Sequence, residues 1–138
     1  MENVMKNIFP LLVLILLAAC HPQTKAKTSD EAKQVLAPIY FDVDQSDLRN
    51  EKTVEQNARW LLSNKDKVVV LEGHCDERGD RQYNIWLGDR RARSVMAALM
   101  ARGVSENQLI IVSYGKDKPL VRKANGWDQN RRVEFVVR

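Results

Sequence analysis

Apolar and polar positions divide the chain into three blocks. Residues 8–19 are apolar apart from Pro10, residues 21–36 are mostly polar, and the rest alternates short apolar runs with amphipathic stretches. The first run has twelve residues and would span about 18 Å as a helix, well short of the ~30 Å hydrocarbon core of a bilayer. Because Lys6 precedes it, the run predicts a signal-peptide hydrophobic region and not a lasting membrane span.

The third block predicts four strands and two helices. Apolar runs indicate strands at 39–43, 68–71, 109–114 and 133–137, and helical spacing indicates helices at 50–64 and 82–102. Asn50 can cap the first helix and Gly103 can end the second. A looped stretch, 115–130, separates the last two strands. This order favours an α/β sandwich with both helices on one face of the sheet.

The second predicted helix carries one arginine on its apolar stripe. The positions on this stripe are Asn84, Leu87, Arg91, Val95 and Leu99. Arg90 and Arg93 point away from the stripe, so we expect them to be solvated. Arg91 must find a carboxylate or a ligand, because burying an unpaired charge is costly. Asp76, at the end of the neighbouring strand, is a candidate partner.

Two aspartates, Asp42 and Asp76, lie at the ends of predicted strands. Ligands of α/β sheets bind beyond the carboxyl ends of the strands, where loops converge. We therefore expect a binding site at this edge.

Length and charge narrow the class of protein. The chain has 138 residues, enough for one domain with a modest core. Its 22 Lys and Arg residues are interspersed with 18 acidic ones, and the formal net charge is only +4. A nucleic-acid-binding module would show a basic stripe with aromatics, which this pattern does not have.

The first block ends in Leu17-Ala18-Ala19-Cys20, which resembles a bacterial lipobox. The resemblance implies a signal peptide at 1–19, a lipid on Cys20 and an N-terminal tether at 20–37, followed by a domain at 38–138. Several acyl chains hold a protein to a membrane much better than one. Because His21 and not aspartate follows the cysteine, the resemblance favours the outer membrane. Cys75 would then be the only free thiol, which excludes an intramolecular disulfide.

The domain resembles a known family over essentially its whole length. The matching motifs are YFDVD at 40–44, EGHCDERG at 72–79, YNI at 83–85, LGDRRA at 87–92 and NRRVE at 130–134. In this order they closely resemble the OmpA-like peptidoglycan-binding domain, in the version found in peptidoglycan-associated lipoproteins. The resemblance implies a βαβαββ fold, with a mixed sheet and the helices packed on one face.

The resemblance also implies non-covalent binding of the peptidoglycan stem through meso-diaminopimelate. Asp76 and Arg91 would hold its free amino-acid end, since an ammonium needs a carboxylate and a carboxylate suits the forked donors of arginine. Residues implied to line the pocket are Phe41, Asp42, His74, Asn84, Leu87 and Asn130. Arg131 and Arg132 either brace the site or are solvated.

The biological role follows from the same resemblance. A lipid-anchored protein of this family would tether the outer membrane to the cell wall within a Tol-Pal system, serving envelope integrity and cell division. Its implied partners are peptidoglycan and a TolB-like periplasmic protein, and it would act as a monomer without a cofactor or metal. The alternative is a related lipoprotein that acts mainly as a protein-interaction module of another envelope complex.

Two residues leave local alternatives open. Cys75 stands where the common family motif has threonine, and a small filler role competes with a site role. His74 contacts the ligand or is a satisfied core histidine. A hydrolase using His74, Cys75 and Asp76 is disfavoured, because successive residues at a strand end point to alternate faces.

Overall fold

Four strands form one mixed sheet in the computed structural model, which describes residues 36–138. They are β1 (Ile39–Tyr40), β2 (Val69–His74), β3 (Leu109–Gly115) and β4 (Arg132–Val137), in the sheet order β1-β4-β2-β3. β2 and β3 are parallel, and β4 is antiparallel to β1 and β2. The predicted mixed α/β sheet is therefore confirmed. The predicted signal peptide and the lipidated Cys20 lie outside the described residues.

Two α-helices connect the strands, α1 (Glu51–Ser63) and α2 (Arg81–Met100). The Asn50 side chain accepts a hydrogen bond from the Thr53 amide and caps α1 as predicted. Gly103 has φ of 92° and follows α2 in a left-handed turn, in which the Val104 amide donates to the Leu99 carbonyl at 3.2 Å. Short 3₁₀ helices cover Glu106–Gln108 and Ala124–Asn130, the second inside the predicted loop.

Element boundaries differ from the predictions where a polar residue is paired inside the sheet. β2 continues to His74 and not only to residue 71, because Glu72 pairs with Val112 on β3 and with Glu134 on β4. At the N-terminal side of the described residues, positions 36 and 37 already contact the domain. Leu36 is buried in the core, and both backbone groups of Ala37 bond to the Asn57 side chain.

The core lies between the helices and one face of the sheet. α2 packs over β2 and β3, and α1 packs beside it. The helix α2 buries the stripe that the sequence predicts, including Arg91, whereas Arg90 and Arg93 are exposed as predicted. The core residues of the helices and of the central strands are Val54, Ala58, Leu61, Val69, Leu71, Ala92, Val95, Leu99, Val133 and Phe135.

A pair of glycines brings α2 unusually close to β2. A Cβ atom on Gly73 would lie 2.0 Å from the Gly88 carbonyl oxygen, and one on Gly88 would lie 2.3 Å from Ser113 Oγ. The hydroxyl of Ser113 donates to the Ile85 carbonyl at 2.7 Å and closes the same contact from β3. Because no side chain separates them, the first turns of α2 reach the ends of β2 and β3.

We expect Gly73→Ala to destabilise the fold severely, because the new methyl group meets backbone that cannot rotate away. The expected loss in unfolding free energy is about 3 kcal/mol or more, the upper end of typical overpacking costs. Ala97→Gly on the exposed side of α2 is the control, with an expected loss of about 1 kcal/mol from helix propensity alone. Urea unfolding followed by circular dichroism measures both. Similar losses for the two variants would contradict the close-packing argument.

Candidate functional site

A cavity of about 280 Å³ opens between the end of β2, the start of α2 and the segment after β1. Asp80 fixes the start of α2, since its carboxylate accepts hydrogen bonds from the Gln82 and Tyr83 amides. The residues that line the cavity are Val43, Asp44, Cys75, Asp76, Arg78, Gly79, Tyr83, Asn84, Leu87, Arg91 and Arg131. Four residues predicted for the site, Asp76, Asn84, Leu87 and Arg91, are thus brought together.

Arg91 forms the floor of the cavity and is fully buried. Its Nε donates to the Gln45 carbonyl at 2.8 Å, Nη1 to the His74 carbonyl at 2.9 Å and Nη2 to the Asp42 carbonyl at 2.9 Å. The guanidinium carbon also lies 5.3 Å from the centre of the Phe41 ring. Burial lowers the pKa of Arg91 from its usual value. The three backbone carbonyls that accept from the guanidinium stabilise its charged form.

The candidate ion pair between Arg91 and Asp76 is wrong. No salt bridge among residues 36–138 joins the two side chains. The guanidinium is satisfied instead by backbone carbonyls, which come from the segment after β1 and from the end of β2. An arginine can be satisfied by carbonyl oxygens as well as by a carboxylate.

Asp76 is paired with two other arginines. Arg78 Nη2 contacts Oδ2 at 2.5 Å, and Arg131 Nη1 contacts the same oxygen at 3.3 Å. The Arg78 amide also donates to Oδ1 at 3.1 Å. Burial raises the pKa of the Asp76 carboxyl, but the hydrogen bonds from Arg78 and Arg131 outweigh it and hold the pKa below its usual range. Asp76 is therefore ionised at neutral pH.

Cys75 and Asn84 form the wall between Asp76 and Arg91. The Cys75 thiol donates to the Asn84 carbonyl at 3.2 Å and accepts from Arg91 Nη1 at 3.5 Å. Burial raises its pKa to about 11, so it stays a neutral thiol and is not a nucleophile at neutral pH. The Asn84 amide donates to the carbonyls of Arg78 and Asp80 and fixes the loop that ends in the cap of α2.

Phe41 and Asp42 line a neighbouring cavity of about 330 Å³. Arg131 lies between the two cavities, with its Nε donating to the Phe41 carbonyl at 2.9 Å. Asp42 pairs with Arg49 at 2.6 Å on the exposed side. Phe41 and Asp42 do not line the first cavity themselves, but their backbone carbonyls bind Arg131 and Arg91, which do.

His74 and Asn130 line neither of these cavities. The His74 ring stacks on Tyr114 at 5.6 Å, and no hydrogen-bond partner for its nitrogens is found in the described part of the chain. The Asn130 side chain bonds to the backbone of Leu120 and Val121 and holds the loop before β4. His74 does contribute a backbone carbonyl, the one that Arg91 binds.

Sequence reasoning missed five residues of the cavity: Val43, Asp44, Arg78, Gly79 and Tyr83. Asp44 has φ of 57° and accepts a hydrogen bond from the Tyr83 hydroxyl. Arg78 follows Asp76 by two positions and folds back onto it. Proximity to Asp76 and to the stripe residue Asn84 is the signal that could have found Arg78 and Tyr83.

The residues that suggested a hydrolase do not converge. Within residues 36–138, the group of His, Cys, Asp and Glu side chains close enough to share a cation is Glu72, His74 and Glu134, without Cys75 or Asp76. Arg132 already contacts Glu134 at 3.0 Å, which opposes a further positive charge there. Arg132 therefore belongs to this group and Arg131 to the cavity.

The cavity as a whole combines charges of both signs. Asp44 and Asp76 face three guanidinium groups, those of Arg78, Arg91 and Arg131. Arg131 Nη2 makes no hydrogen bond among the described residues, so a forked donor remains available beside the Asp76 carboxylate. Such a set suits a ligand that carries an ammonium and a carboxylate a few ångströms apart.

The sequence matches the family model described as the OmpA family over residues 40–132. This chain belongs to the OmpA family. Its OmpA-family region includes every element that builds the cavity, from β1 to the start of β4.

Relatives of this OmpA-family chain share one name. It is 46% identical to the peptidoglycan-associated lipoprotein of Pseudomonas aeruginosa over 112 residues, which cover 78% of this chain and 66% of that protein. The protein of the same name from Pseudomonas putida is 42% identical over 112 residues, covering 78% of this chain and 67% of that protein. The chain thus matches about two thirds of the length of these relatives.

Solved structures agree with the OmpA-family fold. The crystal structure of the peptidoglycan-associated lipoprotein from Burkholderia pseudomallei has a TM-score of 0.70 at 35% identity, covering 83% of this chain and 98% of that one. The C-terminal domain of Helicobacter pylori MotB has a TM-score of 0.68 at 24% identity, covering 74% and 84%. The second likeness concerns the fold alone.

The described part of the chain holds no helix that is both long and apolar enough to cross a membrane. The longest helix, α2, carries charged residues along its exposed side.

We expect His74 to make stability fall as pH drops below neutral. Burial and the charge of Arg132 lower its pKa from 6.5 to about 4, so the unfolded chain binds more protons between these values. Stability is therefore fully present above pH 6.5 and is lost as pH falls towards 4. Between pH 7 and pH 5 the loss is about 1–2 kcal/mol.

Urea unfolding at the two pH values measures this slope in the wild type and in His74→Gln. The variant should be less stable at pH 7 but show a smaller difference between pH 7 and pH 5. An unchanged slope in His74→Gln would contradict the assignment to His74.

Proposed function

We propose that this chain binds the peptide stem of peptidoglycan non-covalently, through the free amino-acid end of meso-diaminopimelate. The observation that carries the proposal is the cavity in which the Asp76 carboxylate lies beside the guanidinium groups of Arg131 and Arg91. The relatives that share the family are named for their association with peptidoglycan. The role is one of binding, since the Cys75 thiol and the His74 ring offer no convergent catalytic group.

Each group of the ligand has a partner in the cavity. The Asp76 carboxylate accepts hydrogen bonds from the ligand ammonium, which competes with Arg78 for the same oxygen. Arg131 and the remaining N–H of Arg91 donate to the ligand carboxylate. Leu87 and Asn84 contact the methylene chain that leads from this amino-acid end back to the stem peptide. Phe41, Asp42, His74 and Asn130 act mainly by shaping the cavity, through their carbonyls and the loop before β4.

The wider role that we propose is a tether between the outer membrane and the cell wall. Cys20 carries the lipid anchor, and residues 20–37 link it to the domain over at most about 60 Å, at ~3.3 Å per residue. The protein would face the periplasm and act as a monomer in a Tol-Pal system involved in envelope integrity and cell division. A TolB-like periplasmic protein is its proposed protein partner.

Asp76→Asn should weaken binding of a stem peptide by about 2 kcal/mol or more, because an amide cannot balance the ligand ammonium in a partly desolvated site. The measurement is calorimetric titration with the tripeptide L-Ala–D-Glu–meso-diaminopimelate. Arg93→Ala is the matched control, since Arg93 is exposed and pairs with Asp89 on the same helix, and it should leave affinity unchanged.

A lysine-type tripeptide gives the second comparison. Lysine keeps the ammonium but lacks the distal carboxylate, so it should bind the wild type much more weakly. Equal affinity for both peptides, or an unchanged affinity in Asp76→Asn, would contradict the proposed binding of diaminopimelate in this cavity. Arg91 is a poorer test residue, because replacing it leaves three carbonyls without donors and endangers the fold.

The anchor is tested separately. Cells that express the wild-type chain should incorporate labelled palmitate into it, and Cys20→Ser should abolish the label because the acylated thiol is gone. Cys75→Ser is the matched control and should keep the label. Absence of label in the wild type would contradict the lipoprotein assignment.

A further inference from the structure

Two exposed aromatic rings lie on the first turns of α2, directly beside the cavity. Tyr83 is 43% exposed and Trp86 is 47% exposed, and their ring centres are 5.6 Å apart. Arg90, one turn further along, lies with its guanidinium carbon 4.6 Å from the centre of the Trp86 ring. We call these three residues the aromatic shelf.

The shelf is continuous with the cavity. Tyr83 belongs to both, since its ring lines the cavity and its hydroxyl donates to Asp44 on the opposite rim. Trp86 and Arg90 follow Tyr83 along the same side of α2, with increasing distance from Asp76. This side is opposite to the buried stripe of the helix. A ligand that leaves the cavity past Tyr83 therefore meets the indole of Trp86 next.

Large aromatic side chains on a solvent-facing helix surface need a reason. Neither ring belongs to the core cluster, and Trp86 leaves 47% of its surface exposed to water. Aromatic rings with a polar edge are favoured where a ligand offers both apolar and polar groups. A pyranose ring is such a ligand, because one of its faces consists of C–H groups and its rim of hydroxyls.

We propose that the aromatic shelf is a subsite for the amino sugars of the glycan strand, next to the stem-peptide cavity. This inference rests on the proposed function, since the stem peptide brings the sugar to the shelf. The weakly positive C–H groups of the sugar pack on the indole face of Trp86, whose quadrupole is negative. Arg90 orients the indole and offers donors to sugar hydroxyl or acetamide oxygens.

The lengths of ligand and shelf agree. Two stem residues, L-Ala and a γ-linked D-Glu, and the lactyl group separate diaminopimelate from the muramic acid ring, and at ~3.3–3.6 Å per extended residue the two residues alone span at least about 7 Å. Tyr83 lies at the cavity rim and Trp86 a further 5.6 Å away. A diaminopimelate held at Asp76 therefore leaves its sugar within reach of the indole.

The test compares two ligands by calorimetric titration: the free tripeptide L-Ala–D-Glu–meso-diaminopimelate, and the same tripeptide on its N-acetylglucosaminyl–N-acetylmuramyl disaccharide. The wild type should bind the disaccharide form about three- to tenfold more tightly, the range of a good aromatic contact. Trp86→Ala should abolish this advantage while binding the free tripeptide as the wild type does. Trp86→Phe should keep most of the advantage, because it keeps an aromatic face.

Met100→Ala is the control, because Met100 is an exposed apolar residue on the same helix, 41% accessible and about 21 Å along its axis from Trp86. It should leave both affinities unchanged. Equal wild-type affinities for the two ligands, or an equal loss of both in Trp86→Ala, would overturn the inference and favour the shelf as a protein-docking surface. Failure of both ligands to bind the wild type would instead overturn the proposed function, and this inference with it.

Discussion

The buried guanidinium of Arg91 joins the segments from which the cavity is built. Its three carbonyl partners come from the stretch after β1 and from the end of β2, and the side chain itself comes from α2. Each carbonyl left without a donor would cost about 1–3 kcal/mol in a buried site. The charge is balanced by peptide dipoles and by the face of Phe41, without a carboxylate of its own. A residue that looks like a ligand-binding arginine is therefore first a structural cross-link.

The charged residues of the cavity therefore have different roles. Because Arg91 does not use Asp76, the carboxylate is left at the cavity wall, ionised and in contact with Arg78 and Arg131. Arg78 is half exposed and can yield its place to a ligand ammonium, whereas Arg131 is held by the Phe41 carbonyl. The proposed ligand thus meets a site whose charges are already positioned, which lowers the entropy cost of binding.

Close packing sets the distances on which this chemistry depends. The contact between Gly73 and Gly88 leaves no room for a side chain between α2 and β2, so the Asn84 carbonyl accepts from the Cys75 thiol and Arg91 reaches the carbonyl of His74, the last residue of β2. The same approach turns Tyr83 and Trp86 outward beside the cavity mouth. Both the cavity and the aromatic shelf therefore depend on the position of α2 against β2.

The sequence by itself determined both helices, their cap and terminator and the inward direction of Arg91, because these follow from local periodicity and from the conformational preferences of single residues. Through a family resemblance the sequence also predicted the mixed sheet. It also brought Asp76, Asn84, Leu87 and Arg91 to one place through a family resemblance. Only the tertiary structure decided which groups satisfy Arg91, since backbone carbonyls 46 and 49 residues away have no side-chain signature. It likewise turned His74 away from the cavity, because alternation along β2 fixes its ring on the face that carries Glu72.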